Sequence, residues 1–220
     1  MAVVMHRLPG RRLGARALAP WREIRTTIAT DAMNRANAMA AAIHAIKPGY
    51  EMVGQALTVR AIAADISPLL YALSVARPGD VLVVDAGGHT DNAVLGGNMA
   101  NEALARGMAG LVIDGAIRDV AEIRELGIPT FTRAVTPAGP HAGQVGEVGA
   151  PVSCGGVIVQ CGDLVLGDDD GVVVVPRQRM AEVLAACQQT LAAEAEWQRR
   201  IAAGDSFRDI LELPEPETRD

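Results

Sequence analysis

Gly96-Gly97-Asn98-Met99, followed by Gly110-Leu-Val-Ile-Asp114-Gly-Ala-Ile-Arg118-Asp119, decides how this chain is read. Between the two runs, Asn98 to Arg106 is rich in helix formers: Met99, Ala100, Glu102, Ala103, Leu104 and Ala105. Gly107 then supplies a residue able to end that helix in the left-handed conformation. Gly110 to Asp114 is an apolar run bounded by glycine and reads as a short buried strand that stops at Asp114-Gly115. Asp119 stands at the N-cap position of a second helix, Val120 to Leu126. A helix, a buried strand and a second helix in succession make an α/β unit.

The same stretch carries chemistry. Two glycines before a helix let a ligand approach the backbone, and the first free N–H groups, near Asn98 and Met99, face an anion. Arg118 offers a planar fork that matches a carboxylate. Asp119 is a hard oxygen ligand suited to Mg²⁺ or Mn²⁺. Gly96, Gly97, Asn98, Met99 and Arg118 therefore form a candidate 2-oxo-acid site, with Arg118 and Asp119 as its catalytic pair and Asp119 as its metal ligand. The same residues also read as an ordinary helix cap with a surface ion pair, and spacing alone does not separate the two readings.

Outward from this unit, 220 residues are enough for one domain with appended ends. Half the residues are hydrophobic and only 3% aromatic, so the core is built from Ala, Val, Leu and Ile. A net charge of −6 argues against nucleic acid as the main partner. Cys154, Cys161 and Cys187 are odd in number and widely spaced, which gives neither a disulfide framework nor a zinc motif; they read as reduced thiols of a cytoplasmic protein. No apolar run reaches the length of a membrane helix. Residues 1–20, with Arg7, Arg11, Arg12 and Arg16, read as a basic arm, mobile or lying on a neighbouring subunit, and lack the apolar centre of a secretory signal.

Trp21 to Ala42 reads as one helix with Ile24, Ile28, Ala32 and Met33 on a stripe. Gly54 to Ile62 and Val81 to Val84 read as strands flanking a short helix, Pro68 to Ala76. Ile128 to Thr132 is a further strand, and Thr136 to His141 a loop. Beyond Gly143, the runs Val157 to Val159, Asp163 to Leu166 and Val172 to Val175 point to β-structure. Arg177 to Ala203 reads as a long helix, and Asp205 to Asp220 as an exposed acidic tail.

The run from Gly96 to Phe131 resembles the RraA-like family. So do Ile46 to Gly49, Arg77 to Asp85, Cys161 to Pro176 and the long last helix, in the same order. That family holds metal-dependent 4-hydroxy-4-methyl-2-oxoglutarate and 4-carboxy-4-hydroxy-2-oxoadipate aldolases, and regulators of ribonuclease E activity. The resemblance implies a layered β/β/α swivelling-domain fold over residues 21–204, assembled as a homotrimer or hexamer. It implies a divalent-metal-dependent lyase releasing pyruvate from a small 2-oxo acid, possible oxaloacetate decarboxylation included. Alternatives on the same scaffold are a non-catalytic ribonuclease E inhibitor and an oxo-acid isomerase or tautomerase. It also implies that Glu194 reaches the metal's water shell from a neighbouring subunit, with Glu196 close enough in sequence to exchange for it. One departure stands out: the aldolases usually carry an acid twenty-one residues before the arginine, and here that position is Gly97.

Other candidates weigh less. Lys47 is the sole lysine and sits in a Pro/Gly turn, a poor place to desolvate the amine of an imine-forming aldolase. Asp168-Asp169-Asp170-Gly171 resembles a cation site but reads more simply as a hairpin turn. His89, after two glycines, has the right chemistry for a general base but no recognisable orienting partner, and reads as a loop histidine.

Overall fold

The protein is described here by a computed structural model covering all residues except 1, 11, 218 and 220. Met1 and Arg11 of the expected arm, and Thr218 and Asp220 of the expected tail, lie outside the described residues. In chain order the strands are β1 (Val3–Met5), β2 (His44–Ala45), β3 (Met52–Ala61), β4 (Asp80–Asp85), β5 (Ala93–Leu95) and β6 (Gly110–Ile117). They continue as β7 (Thr130–Val135), β8 (Gly146–Val148), β9 (Val152–Cys154), β10 (Val157–Val159), β11 (Leu164–Asp168) and β12 (Gly171–Val175). The helices are α1 (Ala15–Leu18), α2 (Thr26–Ala32), α3 (Ser67–Val75), α4 (Gly97–Ala105), α5 (Val120–Leu126), α6 (Met180–Ala202) and α7 (Phe207–Ile210).

This is a mixed α/β domain with a long C-terminal helix. Its centre is the parallel set β3-β4-β6-β7. Parallel strands are covered on both faces and therefore read as near-continuous apolar runs. All eight residues of β6 are buried, as are five of the six in β4. Leu69 and Leu73 of α3, Ala100 and Ala103 of α4, and Ile123 of α5 join these strands in the main core.

The β11–β12 hairpin pairs antiparallel with β3 and faces two cores. Val165, Val172 and Val174 point into the main one. Leu164, Leu166, Val173 and Val175 point the other way, onto Trp21, Ile28, Val183 and Cys187. Alternation along a strand normally separates a wet face from a dry one; here both faces are dry, which is why the hairpin is apolar throughout. Its turn is the Asp168–Gly171 cluster. Asp168 is buried and accepts from the Thr26 amide at 2.8 Å and the Thr26 hydroxyl at 2.6 Å, while Asp169 accepts from the Gly49 amide at 2.7 Å. These bonds are the structural work expected of a turn.

Three expectations are corrected. First, the arm is packed on its own chain. β1 pairs in parallel with β8, Leu18 is buried, and Arg12 forms an ion pair with the buried carboxylate of Asp80. Second, Trp21 to Ala42 is not one helix. A 3-10 turn, Ala19–Glu23, precedes α2, and α2 ends at Met33. Asn34, Arg35 and Asn37 then take left-handed φ angles of 57°, 63° and 64°. Asparagine tolerates that region, and no helix continues through it. The apolar stripe did mark burial: Ile24, Ile28 and Met33 are all buried. Third, β6 does not stop at Asp114. It runs on to Ile117 through a register shift between Ile113 and Ala116 against β7, where β5 takes up pairing on its other edge.

The Arg12–Asp80 pair tests whether the arm belongs to the fold. Removing one partner of a buried pair leaves an unpaired charge at a cost of about 3 kcal/mol. Arg12→Ala should lower the unfolding free energy by about that amount in urea titration, discounted because Arg12 keeps some solvent contact, and Arg12→Ala with Asp80→Asn should recover part of it. An arm that merely rests on the surface would give no change.

Candidate active site

The fully buried β6 delivers Arg118 and Asp119 to the end of the sheet, next to the turn that opens α4. The Arg118 amide donates to the Leu95 carbonyl at 3.0 Å, tying this end of β6 to β5. Asp119 occupies the N-cap position of α5, yet its carboxylate makes no capping bond to that helix. It accepts instead from the Gly97 amide at 3.1 Å, so the α4 N-terminus and not the α5 N-terminus holds it.

Gly96, Asn98, Met99, Arg118 and Asp119 line one cavity of about 210 Å³, walled also by Ile66, Leu70, Leu95 and Pro140. Gly97 lies buried beneath it. Not all the expected N–H donors are open: that of Gly97 is given to Asp119, and that of Met99 to the Gly96 carbonyl. Arg118 Nε lies 3.5 Å from Asp119 Oδ2, with both side chains 43% exposed. An exposed pair at that distance contributes ~0–1 kcal/mol to stability. Asp119 meanwhile sits at φ 58°, a left-handed conformation that costs a non-glycine residue about 1–2 kcal/mol. Stability therefore does not account for the pair, and such outliers cluster where a side chain must be aimed.

The two glycines have a specific steric reason. A Cβ on Gly96 would stand 2.5 Å from Asp119 Oδ2 and 3.2 Å from Arg118 Nε. A Cβ on Gly97 would fall inside the carboxylate of Glu122. Glu122, in the first turn of α5, thus fills the volume that a side chain at position 97 would enter. Sequence reasoning missed it. The signal was present as an acid three residues after Asp119, a spacing that a capping-box reading absorbs. Asp119 approaches Gly96 beside the Arg118 guanidinium, and Glu122, which does not line the cavity, lies against Gly97. No group of three or more His, Cys, Asp or Glu suited to a metal exists among the described residues. Two carboxylates fit Mg²⁺, which keeps several waters and binds proteins through one or two such groups.

The remaining candidates separate. Glu194 lies on α6, which packs against α2. No hydrogen bond or ion pair among the described residues joins it to the cavity within one chain. Lys47 is exposed, with its ammonium 5.9 Å from the Tyr50 ring centre. Burial, with Asp114 and Asp85 alongside, pushes the Cys154 thiol far above its ordinary range, so it stays protonated. His89 does have a partner: its Nε2 lies 3.2 Å from Asn92 Oδ1, and Asn92 Nδ2 donates to the Gly139 carbonyl at 3.0 Å. A Cβ on Gly139 would stand 2.8 Å from Arg118 Nη1. His89 and Asn92 therefore anchor the segment that lies on the guanidinium.

The profile of the RraA-like family, described as Aldolase/RraA, matches residues 26–174. A provisionally named 4-hydroxy-4-methyl-2-oxoglutarate aldolase of Halalkalibacterium halodurans is 35% identical over 185 residues, covering 84% of this chain and 88% of its own. The 4-hydroxy-4-methyl-2-oxoglutarate aldolase of Thermus thermophilus is 34% identical, covering 70% of this chain and 93% of its own. Among solved structures, Streptomyces coelicolor RraAS2 is described as an unusual member of the RNase ES inhibitor RraA protein family. It superimposes with a TM-score of 0.77 at 29% identity, over 86% of this chain and 100% of its own.

The segment over Arg118 continues into a loop held by Asp65, which is buried and accepts from the amides of Ser67 at 2.9 Å and Val145 at 3.1 Å. Burial alone would raise this carboxyl, but the bonds from Ser67, Val145 and Gly143 outweigh it and hold its pKa below the ordinary value. A carboxyl depressed by folding contributes stability that is present above its unfolded pKa and lost as pH falls through the folded one. Amide-exchange protection at Val145, corrected for intrinsic rates, should persist through the ordinary carboxylate range and fall only at more acid pH. In Asp65→Asn it should be low throughout.

Proposed function

The chain belongs to the RraA-like family, and from that premise we propose that it is a divalent-metal-dependent lyase, a class II aldolase that cleaves a small 2-oxo acid and releases pyruvate. The observation that carries the reading is the Asp119 carboxylate held on the Gly97 amide beside Arg118, with the Glu122 carboxylate against Gly97 on the same turn. A ring of inhibitory subunits has no need of two hard carboxylates at a glycine turn. The rival, a ribonuclease-inhibitor-like binding protein, draws on the name of the Streptomyces coelicolor neighbour.

In this reading Arg118 donates a two-point pair of N–H bonds to the substrate carboxylate. Asp119, with Glu122 close to the same turn, would hold Mg²⁺ or Mn²⁺. When bound, the ion supplies a Lewis acid that stabilises the charge developing on the 2-oxo oxygen as the C–C bond breaks. Glu122 stands where the side chain absent from Gly97 would be, and serves to take the proton of the substrate's C4 hydroxyl. Gly96 and Gly97 keep clear the space that both carboxylates use. Oxaloacetate decarboxylation, in which carbon dioxide leaves in place of a carbonyl compound, would use the same Arg118 and ion but has no C4 hydroxyl proton, so Glu122 would have no base role there.

The family likeness supports assembly with threefold symmetry, a trimer or hexamer in which Glu194 of one subunit approaches the cavity of the next. Mass in solution tests this, and a monomer at micromolar concentration removes Glu194 from the site. A buried lysine is missing from the chemistry, so borohydride with pyruvate should not label Lys47.

Two sets of variants separate the roles. Asp119→Asn keeps size but loses charge, so metal affinity and pyruvate release should both collapse. Arg118→Lys keeps charge but loses the fork; metal titration should be nearly unchanged and kcat/KM should fall roughly ten- to a hundredfold, the loss of one charge-assisted hydrogen bond. Gly97→Ala should fold within about 1 kcal/mol of the parent, since alanine suits a helix start, yet lose metal affinity as Glu122→Ala does. The double variant should be no worse than either single one, and Gly97→Asp with Glu122→Ala should regain binding. Simple additivity of the two losses would mean that Gly97 and Glu122 do not share one volume.

A further inference from the structure

We propose that Asn92 is a positioning residue for Arg118: its side-chain amide clamps the Gly139 peptide against the guanidinium, so that the fork is aimed before a carboxylate arrives. The inference rests on the lyase reading for what Arg118 binds, and goes beyond it in naming what holds Arg118.

The donors and acceptors fix the direction of each bond. The Gly139 carbonyl can only accept, so the Asn92 atom 3.0 Å from it is the amide nitrogen Nδ2. The amide oxygen Oδ1 then faces His89, 3.2 Å from Nε2. An amide oxygen cannot donate, so His89 Nε2 carries the proton. That nitrogen is a holding group and not a base. His89 is itself tied down. Its amide donates to the Ala86 carbonyl at 3.2 Å, and the Gly88 amide donates to the Asp114 carbonyl of β6 at 3.0 Å. Two more bonds zip the same segments together. The Ala93 amide donates to the Ala138 carbonyl at 2.9 Å, and the Thr136 hydroxyl donates to the Asp91 carbonyl at 3.4 Å.

Past Gly139 the chain crosses to the other side of the site. Pro140 walls the cavity, and the next residue is bonded at both ends of its peptide unit. The His141 carbonyl accepts from the Ile66 amide at 3.1 Å, and the His141 amide donates to the Ala64 carbonyl at 2.9 Å. Residues 136–141 therefore form a strap from the β5 side to the start of α3. Under it the guanidinium passes between two positions without a Cβ. A Cβ on Gly96 would stand 3.2 Å from Arg118 Nε, and one on Gly139 2.8 Å from Nη1. Backbone on both flanks leaves few rotamers to a long side chain that is still 43% exposed. A fork held in this way has less freedom to lose when a ligand binds, and that is how preorganisation raises affinity.

The test is calorimetric titration of the intact protein with pyruvate at saturating Mg²⁺, with metal affinity and thermal unfolding measured alongside. Asn92→Ala removes the clamp and should weaken pyruvate binding about two- to tenfold, the cost of immobilising one long side chain on binding, with metal affinity unchanged. His89→Ala should do the same. His89→Gln, whose amide donates from nearly the place of Nε2, should restore the parent's affinity. Gly139→Ala keeps the Asn92 bond but sets a methyl against Nη1. Gly139 lies outside the left-handed region, so the flexible guanidinium and not the backbone must shift. Pyruvate affinity should fall while the unfolding temperature holds. In the Arg118→Lys background there is no fork to aim, and Asn92→Ala should cost less than about twofold. Equal losses from Asn92→Ala in both backgrounds, or a parallel loss of metal affinity, mean a merely structural role and overturn the proposal, as does failure of the parent to bind pyruvate. Cleavage is assayed separately. Its absence with every 4-hydroxy-2-oxo acid, with the coupling to Arg118 intact, sinks the lyase reading alone. Loss of the coupling with cleavage intact sinks this proposal alone.

Discussion

Eight consecutive residues of β6 are buried, and the rest of the molecule follows from that. A strand so placed must be paired on both edges and covered on both faces, since every unpaired amide or carbonyl there loses water without compensation. β4 and β7 supply the edges, and α3, α4 and α5 supply much of the apolar cover. The strand's exit point is then fixed. The register shift after Ile113 and the bond from the Arg118 amide to Leu95 set the direction in which the chain leaves. Asp119, the second residue out, takes a left-handed φ because the chain must turn at once into α5. The site is thus a consequence of where a buried strand ends.

The chemistry depends on two absences. Without side chains at Gly96 and Gly97, the carboxylates of Asp119 and Glu122 reach the backbone at the start of α4. A side chain at position 97 would enter the volume that the Glu122 carboxylate now fills, so Glu122 would have to shift. Loss of the acid from position 97 therefore need not mean loss of the carboxylate from the site. Its origin moves from one helix N-terminus to the next, and its charge remains favourable to the macrodipole of the helix that bears it.

Much of this was legible in the sequence. The helix at Gly97 to Ala105, the α5 helix and the buried run of β6 announce themselves through period and flanking glycines. Arg118 and Asp119 follow from their position after that run. Three things were not legible. The cap of α2 is Asp168, 142 residues away in sequence, and no local pattern reveals a tertiary cap. The left-handed residues Asn34, Arg35 and Asn37 interrupt an apolar stripe that looks continuous, because burial of Ile24, Ile28 and Met33 is satisfied by two differently shaped segments. Glu122 looked like a helix-capping acid, and only the empty space over Gly97 gives it another role. The stretch before Trp21 looked like a charged arm because its arginines outweigh Val3, Val4 and Met5 in composition, although those three residues complete a sheet edge.

The claim at the centre of this account is that the carboxylates gathered at the Gly96–Gly97 turn hold a divalent ion beside Arg118. The most direct measurement is anomalous diffraction from crystals grown with Mn²⁺ and pyruvate. The account predicts a manganese peak in contact with Asp119, with Glu122 in its coordination or water shell and the pyruvate carboxylate on the Arg118 guanidinium. A peak at the Asp168 to Asp170 turn, or none near Asp119 at saturating Mn²⁺, would contradict it.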